Sequence, residues 1–237
     1  MTVYTLPSGA TLTDVGQAKG DPKPACIVFP GGGYGGHADH EAEPVAHFME
    51  SIGLRSFVLR YRVAPNRHPA PLDDAHTAIR MVRSRAKEFG VLDTKVGILG
   101  FSAGGHLAST ASTHWSDRVE RPDFAILIYP VISFHDPLAH VGSRENLLGK
   151  NPDPNLVDSL SNERRVSLDT PPTFLFHGVD DSVVLVGNAL AYATSLAEHR
   201  VPFELHTPEH GPHGFGMGAP GSAQDWRPAV TRWLQNR

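Results

Sequence analysis

The chain has 237 residues, 40% of them hydrophobic and 19% charged, a globular composition long enough for one sizeable core. Its formal net charge of -4 is spread without blocks of one sign, which argues against nucleic acid or an anionic membrane surface as a partner. No apolar run is long enough to span a bilayer and no signal-like segment opens the chain, so a soluble cytoplasmic protein is expected.

The first expected strand, 25–30, holds the only cysteine, Cys26, inside the apolar run Ala25-Cys26-Ile27-Val28-Phe29. Such a thiol has no disulfide partner in the chain and reads as buried and unreactive. Pro30-Gly31-Gly32-Gly33-Tyr34 follows, ahead of a helix expected at about 40–52. Glycines there let the backbone approach a substrate carbonyl, as the second half of an oxyanion hole must. Gly31, Gly33 and Gly36 also match a dinucleotide fingerprint. That reading expects an acid at the end of the next strand, 55–61, which instead ends Leu59-Arg60-Tyr61-Arg62 and would suit NADP at best. It also leaves the chemistry downstream unexplained, so no cofactor is expected. Between these strands lie His37, Asp39, His40, Glu41, Glu43 and His47, which lack the H-E-x-x-H arrangement of a zinc helix. No metal is expected, and solvated or supporting roles are assigned to them. Arg60 and Arg62 read as partners in structural ion pairs.

A helix at 72–89 places Leu72, Ala75, Ala78, Ile79, Val82 and Ala86 on one stripe. Asp73-Asp74 near its start, after Pro71, is explained by the preference of helix N-termini for negative charge. The strand 95–100 then runs into Gly100-Phe101-Ser102-Ala103-Gly104 and a helix at 103–115, the strand–turn–helix context that G-x-S-x-G requires. A serine in so sharp a turn occupies a strained backbone, and flanking glycines keep side chains clear of it. The turn sets the hydroxyl beside a helix N-terminus, where N–H groups favour a developing oxyanion. The oxyanion donors are assigned to Gly32, Gly33 and Ala103, with Tyr34 an alternative to one of the glycines. His106, one helical turn past the serine, is expected to pack under the turn.

After a strand at 124–129, residues 133–171 carry Pro137, Pro152, Pro154 and Pro171 and only short apolar stretches. A long irregular connection of this kind reads as a lid-like insertion over the pocket. Strands at 173–177 and 202–207 and helices at 186–199 and 223–235 complete the alternation. The economical architecture is a mostly parallel sheet covered on both faces, one domain over 1–237. Past the first of these strands lie Asp180 and Asp181, both placed for a triad acid; past the second lie His210 and His213, both placed for a base, while His206 within the strand reads as structural.

With these residues assembled, the chain resembles the compact α/β-hydrolases that act as acetylxylan, feruloyl or other short-chain carboxylesterases, relatives of the hormone-sensitive-lipase group. The resemblance rests on Pro-Gly-Gly-Gly-Tyr at 30–34, Tyr-Arg-Val-Ala-Pro at 61–65 and Gly-Phe-Ser-Ala-Gly-Gly-His-Leu-Ala at 100–108. It extends to His-Gly-Val-Asp-Asp at 177–181 and Gly-Pro-His-Gly-Phe at 211–215. It implies the α/β-hydrolase fold, with the small insertion following its sixth strand. It also implies a triad of Ser102, Asp181 and His213, in which Asp180 shapes the turn. Pro30 stands where the lipase-like group usually has a histidine, and the helical cap of that group is missing, which favours the carbohydrate-esterase side. The function implied is hydrolysis of short acyl esters, acetyl foremost, of a small-molecule substrate such as an acetylated sugar or oligosaccharide. The alternatives weighed are a prolyl-oligopeptidase-like peptidase, which would ordinarily bring a large N-terminal domain, and a binder without catalysis.

Overall fold

The computed structural model describes residues 1–236. Eight strands form one sheet in the order β1-β2-β4-β3-β5-β6-β7-β8. Six of them run parallel: β3 (Lys23–Phe29), β4 (Arg55–Arg60), β5 (Val91–Phe101), β6 (Ala125–Ile128), β7 (Thr173–Phe176) and β8 (Phe203–His206). Their apolar residues divide by the twofold alternation of a strand. Ile27, Phe57, Ile98, Leu127 and Leu175 enter one core, while Val28, Val58, Leu99, Ile126 and Phe174 enter the other. Helices α1 (Glu43–Ser51) and α8 (Arg227–Gln235) close the second core through Met49, Val230 and Trp233. The first core is closed by α2 (Ala70–Ser84), the short α3 (Ala86–Phe89), α4 (Ser102–Thr113) and α7 (Gly187–Glu198).

The two remaining strands, β1 (Thr2–Thr5) and β2 (Thr11–Asp14), are antiparallel additions at the edge beyond β4. The sequence reading missed them because both are four residues long and at least half polar. Their attachment is reinforced by an ion network. Arg55, fully buried on β4, grips Asp14 of β2 with two bonds of 2.7 and 2.9 Å and also pairs with Glu50 of α1. The helix expected over 72–89 is interrupted at Arg85, where α2 ends and the single turn of α3 begins. Asp73 sits in the first turn of α2 as expected, but Asp74 is fully buried. It accepts from the Arg62 backbone and guanidinium at 2.8–3.0 Å and from Ser8 at 2.5 Å. Its role is therefore to tie the chain after β4, and the N-terminal loop, onto α2.

Residues 133–171 follow β6 and are only partly irregular. They contain α5 (Val141–Leu148), α6 (Pro154–Ser159) and one 3-10 turn at Asn162–Arg164. Asp153 caps α6 with Pro154 as its first residue, a start signal among the prolines that made the segment look structureless. No helix of the described residues is long and apolar enough to cross a membrane.

Candidate active site

At the carboxyl end of β5 the chain turns directly into α4, and Ser102 is the turning residue, with φ of +51°. That conformation costs a side-chain-bearing residue on the order of 1–3 kcal/mol, and tight packing of α4 on the sheet sustains it. A Cβ on Gly104 would lie 2.1 Å from the carbonyl oxygen of Phe29, so only glycine lets the helix start so close to β3. The second glycine of the motif is therefore a packing requirement set by the neighbouring strand.

The loop after β8 brings His213 to this serine. The Ser102 hydroxyl donates to Nε2 of His213 at 2.8 Å, and Nδ1–H of His213 donates to Oδ2 of Asp181 at 2.8 Å. The other carboxylate oxygen of Asp181 accepts the backbone N–H groups of Val183 and Val184, each at 2.9 Å. His177, buried at the end of β7, directs Nε2 at the Val184 carbonyl (2.8 Å) and at Oδ2 of Asp181 (3.3 Å). Burial by itself would raise the Asp181 carboxyl. The bonds from His177, His213 and Val184 outweigh it and hold the acid well below the usual carboxylate range. Asp181 is thus an ionised, fully engaged acceptor that fixes the proton of His213 on Nδ1 and leaves Nε2 free to accept.

Asp180, the other candidate acid, points away. It accepts the N–H of the buried Gly211 at 2.7 Å and faces Nδ1 of the exposed His210 at 3.2 Å. Together with the Val179 N–H to Pro208 bond of 2.9 Å, it staples the acid-bearing loop to the histidine-bearing loop. His210 and Asp180 therefore pair with each other, outside the relay. His206 pairs with Glu204 on its own strand at 2.6 Å.

Opposite the relay lies the glycine loop. Gly32 and Gly33, at φ of +130° and +63°, line a cavity of about 360 Å³ together with Ser102, His213, His140 and Val183. Each carbonyl of the loop is held elsewhere: Gly31 by Ala38 N–H, Gly32 by Gly35 N–H, Gly33 by the Asn146 amide and Tyr34 by Ala64 N–H. In a trans peptide the N–H lies opposite the carbonyl that precedes it, so the bonds to the Gly31 and Gly32 carbonyls fix the Gly32 and Gly33 N–H groups, and the Asn146 bond to Gly33 fixes that of Tyr34. Ala103 lies in the first turn of α4, where N–H groups have no partner within the helix. All three sequence assignments for the oxyanion hole are thus on or beside the cavity wall.

Three supports of this loop were not legible as such. Glu41, 2% exposed, accepts the Gly31 N–H at 2.8 Å and the Tyr129 hydroxyl at 2.5 Å. Tyr129 in turn accepts the Gly216 N–H at 2.9 Å and sets its ring 5.0 Å from that of His213. One buried carboxylate therefore spans the oxyanion loop and the histidine loop. His40 adds a 3.0 Å bond from its ring to the Gly214 carbonyl. Asn146, the second support, comes from α5 of the insertion, donating to Gly33 at 2.9 Å. The third is His106, fully buried under the turn as expected. Its Nδ1 meets the Tyr34 hydroxyl at 2.8 Å, its Nε2 meets the Leu160 carbonyl at 2.8 Å, and Phe134 stacks on it at 4.2 Å. Burial, opposed by the Leu160 bond, lowers its pKa to about 3, so it is neutral. The remaining acids of the 37–47 stretch are spent on Arg60, which binds Asp39 at 2.7 Å and Glu43 at 2.9 Å. That pairing fills the strand end where a nucleotide reading would need a free cation.

Comparison with known proteins places this geometry. The profile of a family described as alpha/beta hydrolase fold matches residues 26–217. An acetylxylan esterase of Xylanibacter ruminicola is 37% identical over 199 residues, covering 82% of this chain and 41% of its own length. Endo-1,4-beta-xylanase B of Butyrivibrio fibrisolvens is 35% identical over 203 residues, 80% of this chain and 32% of its own. The chain thus spans less than half the length of these curated relatives. The crystal structure of an acetyl ester-xyloside bifunctional hydrolase from Caldicellulosiruptor lactoaceticus superposes with a TM-score of 0.92 at 46% identity, over 98% of this chain and 89% of that one. A strand–turn–helix serine, a relay through the loops after the last two strands and a glycine loop opposite them belong to one architecture: the chain is a member of the alpha/beta hydrolase fold family.

Proposed function

We propose that the chain is a serine carboxylesterase that removes short acyl groups, acetyl foremost, from carbohydrate esters. The observation that carries it is the unbroken relay Ser102–His213–Asp181, opening on a small cavity walled by Gly32 and Gly33. Relatives whose names specify acetylxylan and acetyl ester-xyloside chemistry support the substrate class.

Ser102 attacks the ester carbonyl as Nε2 of His213 takes its proton, and the new C–O bond places a negative charge on the former carbonyl oxygen. The N–H groups of Gly32, Gly33 and Ala103 accept that charge, each donor being worth about 10²–10³ in rate by analogy with other oxyanion holes. The tetrahedral centre collapses, the C–O bond to the alcohol breaks and His213 returns the proton to the leaving oxygen. Water, deprotonated by the same nitrogen, then attacks the acyl-enzyme, releasing the acid and restoring Ser102. Asp181 remains an anion throughout, matching its strongly depressed pKa.

The test is a release assay across acetylated xylo-oligosaccharides, acetylated monosaccharides, feruloyl esters and 4-nitrophenyl esters of increasing acyl length. Acetate release from the acetylated sugars, with activity falling as the acyl chain lengthens, is the expected pattern. A preference for long acyl chains, or cleavage confined to peptides, would overturn the reading.

A further inference from the structure

The cavity beside Ser102 has a second histidine that the relay does not use. His140 lines it together with Ser102 and His213, at the point where the 133–171 segment enters α5. On its Nδ1 edge the ring accepts the Ser143 N–H at 3.2 Å and meets the Ser143 hydroxyl at 2.8 Å, which makes it the N-cap of α5. A ring whose Nδ1 is an acceptor holds its proton on Nε2 when neutral. Burial and the neighbouring His213 both push His140 toward that neutral form. Among the described residues nothing is bonded to Nε2, so that N–H is available to whatever fills the cavity.

Capping does not by itself account for the residue type. Ser, Thr, Asp and Asn are the preferred N-caps, and any of them would satisfy Ser143 without reaching the cavity. The position is also stiffly held. Asn146 of α5 is bonded to Gly33, Arg144 to the Phe134 carbonyl at 2.8 Å, and the buried Asn188 to the Leu138 carbonyl at 3.0 Å. A donor mounted on so fixed a frame is preorganised for an acceptor in one place. Val183, half exposed on the same wall, offers an apolar surface suited to the face of a sugar ring.

We infer that His140 is a specificity residue: its Nε2–H donates to a hydroxyl or ring oxygen of the alcohol half of the ester, so that oxygen-rich alcohols are selected over carbocyclic ones. This rests on the carbohydrate-ester reading above, and it makes the segment 133–171 the wall that reads the alcohol.

The experiment compares kcat/KM for a methyl mono-O-acetyl-xylopyranoside with that for cyclohexyl acetate, a ring of the same size without the oxygens. Wild type and His140→Ser are measured side by side. Serine keeps the N-cap but is too short to reach the cavity, so the thermal midpoint of His140→Ser should stay close to that of wild type, whereas His140→Ala, losing the cap as well, should melt lower. Wild type is expected to prefer the sugar acetate, and His140→Ser to lose about tenfold of that preference. A folded His140→Ser protein with the wild-type preference would overturn the assignment while leaving the carbohydrate reading intact. A wild-type enzyme that does not favour the sugar acetate would overturn the carbohydrate reading, and the role of His140 with it.

Discussion

The two halves of the site are built on different principles. On the relay side, Ser102, His213 and Asp181 touch one another directly, and each is the side chain that the chemistry itself requires. On the oxyanion side the working groups are backbone N–H, and the side chains that matter are those holding the loop still: Glu41 on the Gly31 N–H, Asn146 on the Gly33 carbonyl and His106 on the Tyr34 hydroxyl. The relay should therefore fail abruptly when one member is changed. The oxyanion side should fail by degrees, because each support holds the glycine loop at one point of several.

The largest expected effect is at Ser102. Replacing it with alanine should lower kcat about 10⁴- to 10⁶-fold, measured on 4-nitrophenyl acetate, with folding unchanged by circular dichroism. Asp181→Asn should cost roughly 10⁴, because an amide can present its N–H to Nδ1 and reverse the His213 tautomer. Asp180→Asn, which disturbs only the staple between the two loops, should cost less than about tenfold. Reversal of that order would reassign the acid.

Smaller losses should mark the oxyanion side. Asn146→Ala frees the Gly33 carbonyl, and with it the Gly33–Tyr34 peptide that adjoins the Gly33 donor, so kcat should fall by up to about tenfold with KM little altered. An unchanged kcat would show that the loop holds its shape without the insertion. Glu41→Ala should combine a comparable loss of kcat with lower stability, because it leaves the Gly31 N–H and the proton of the Tyr129 hydroxyl buried without an acceptor, about 1–3 kcal/mol each.

The last effect concerns pH and is read in stability, with no loss of rate at neutral pH. His106 titrates near 3 in the folded protein against its ordinary 6.5, so between those values the unfolded chain binds a proton that the folded chain refuses. Stability must then fall as pH drops from about 6.5 toward 3, by at most about 1.4 kcal/mol per pH unit from this one group. Denaturant titrations at several pH values should give a shallower slope for His106→Phe. An unchanged slope would mean that other groups carry the acid sensitivity.

This contrast also explains what the sequence disclosed. Ser102 stood out because a sharp strand-to-helix turn demands glycines around it, and Gly104 is indeed forced by the Phe29 carbonyl. Asp181 and His213 follow β7 and β8, where a parallel sheet must present its reactive groups, although choosing Asp181 over Asp180 needed the family pattern. Glu41 was grouped with its acidic and histidine neighbours because it meets Tyr129 across 88 residues, and no local spacing announces such a partner. Asn146 and His140 lay in the stretch whose prolines suggested irregular chain, yet two short capped helices form there. Side chains that react are legible from motifs, whereas side chains that position backbone become visible only once distant loops are brought together.

The central claim is that Ser102 carries the acyl group between the two half-reactions. Rapid acid quench of the enzyme turning over 4-nitrophenyl acetate, followed by peptide mass spectrometry, tests it directly. An acetyl group on Ser102 that is absent from Ser102→Ala is the expected result. Acetate release at the full rate by Ser102→Ala, or acetyl found on another residue in both proteins, would contradict the account.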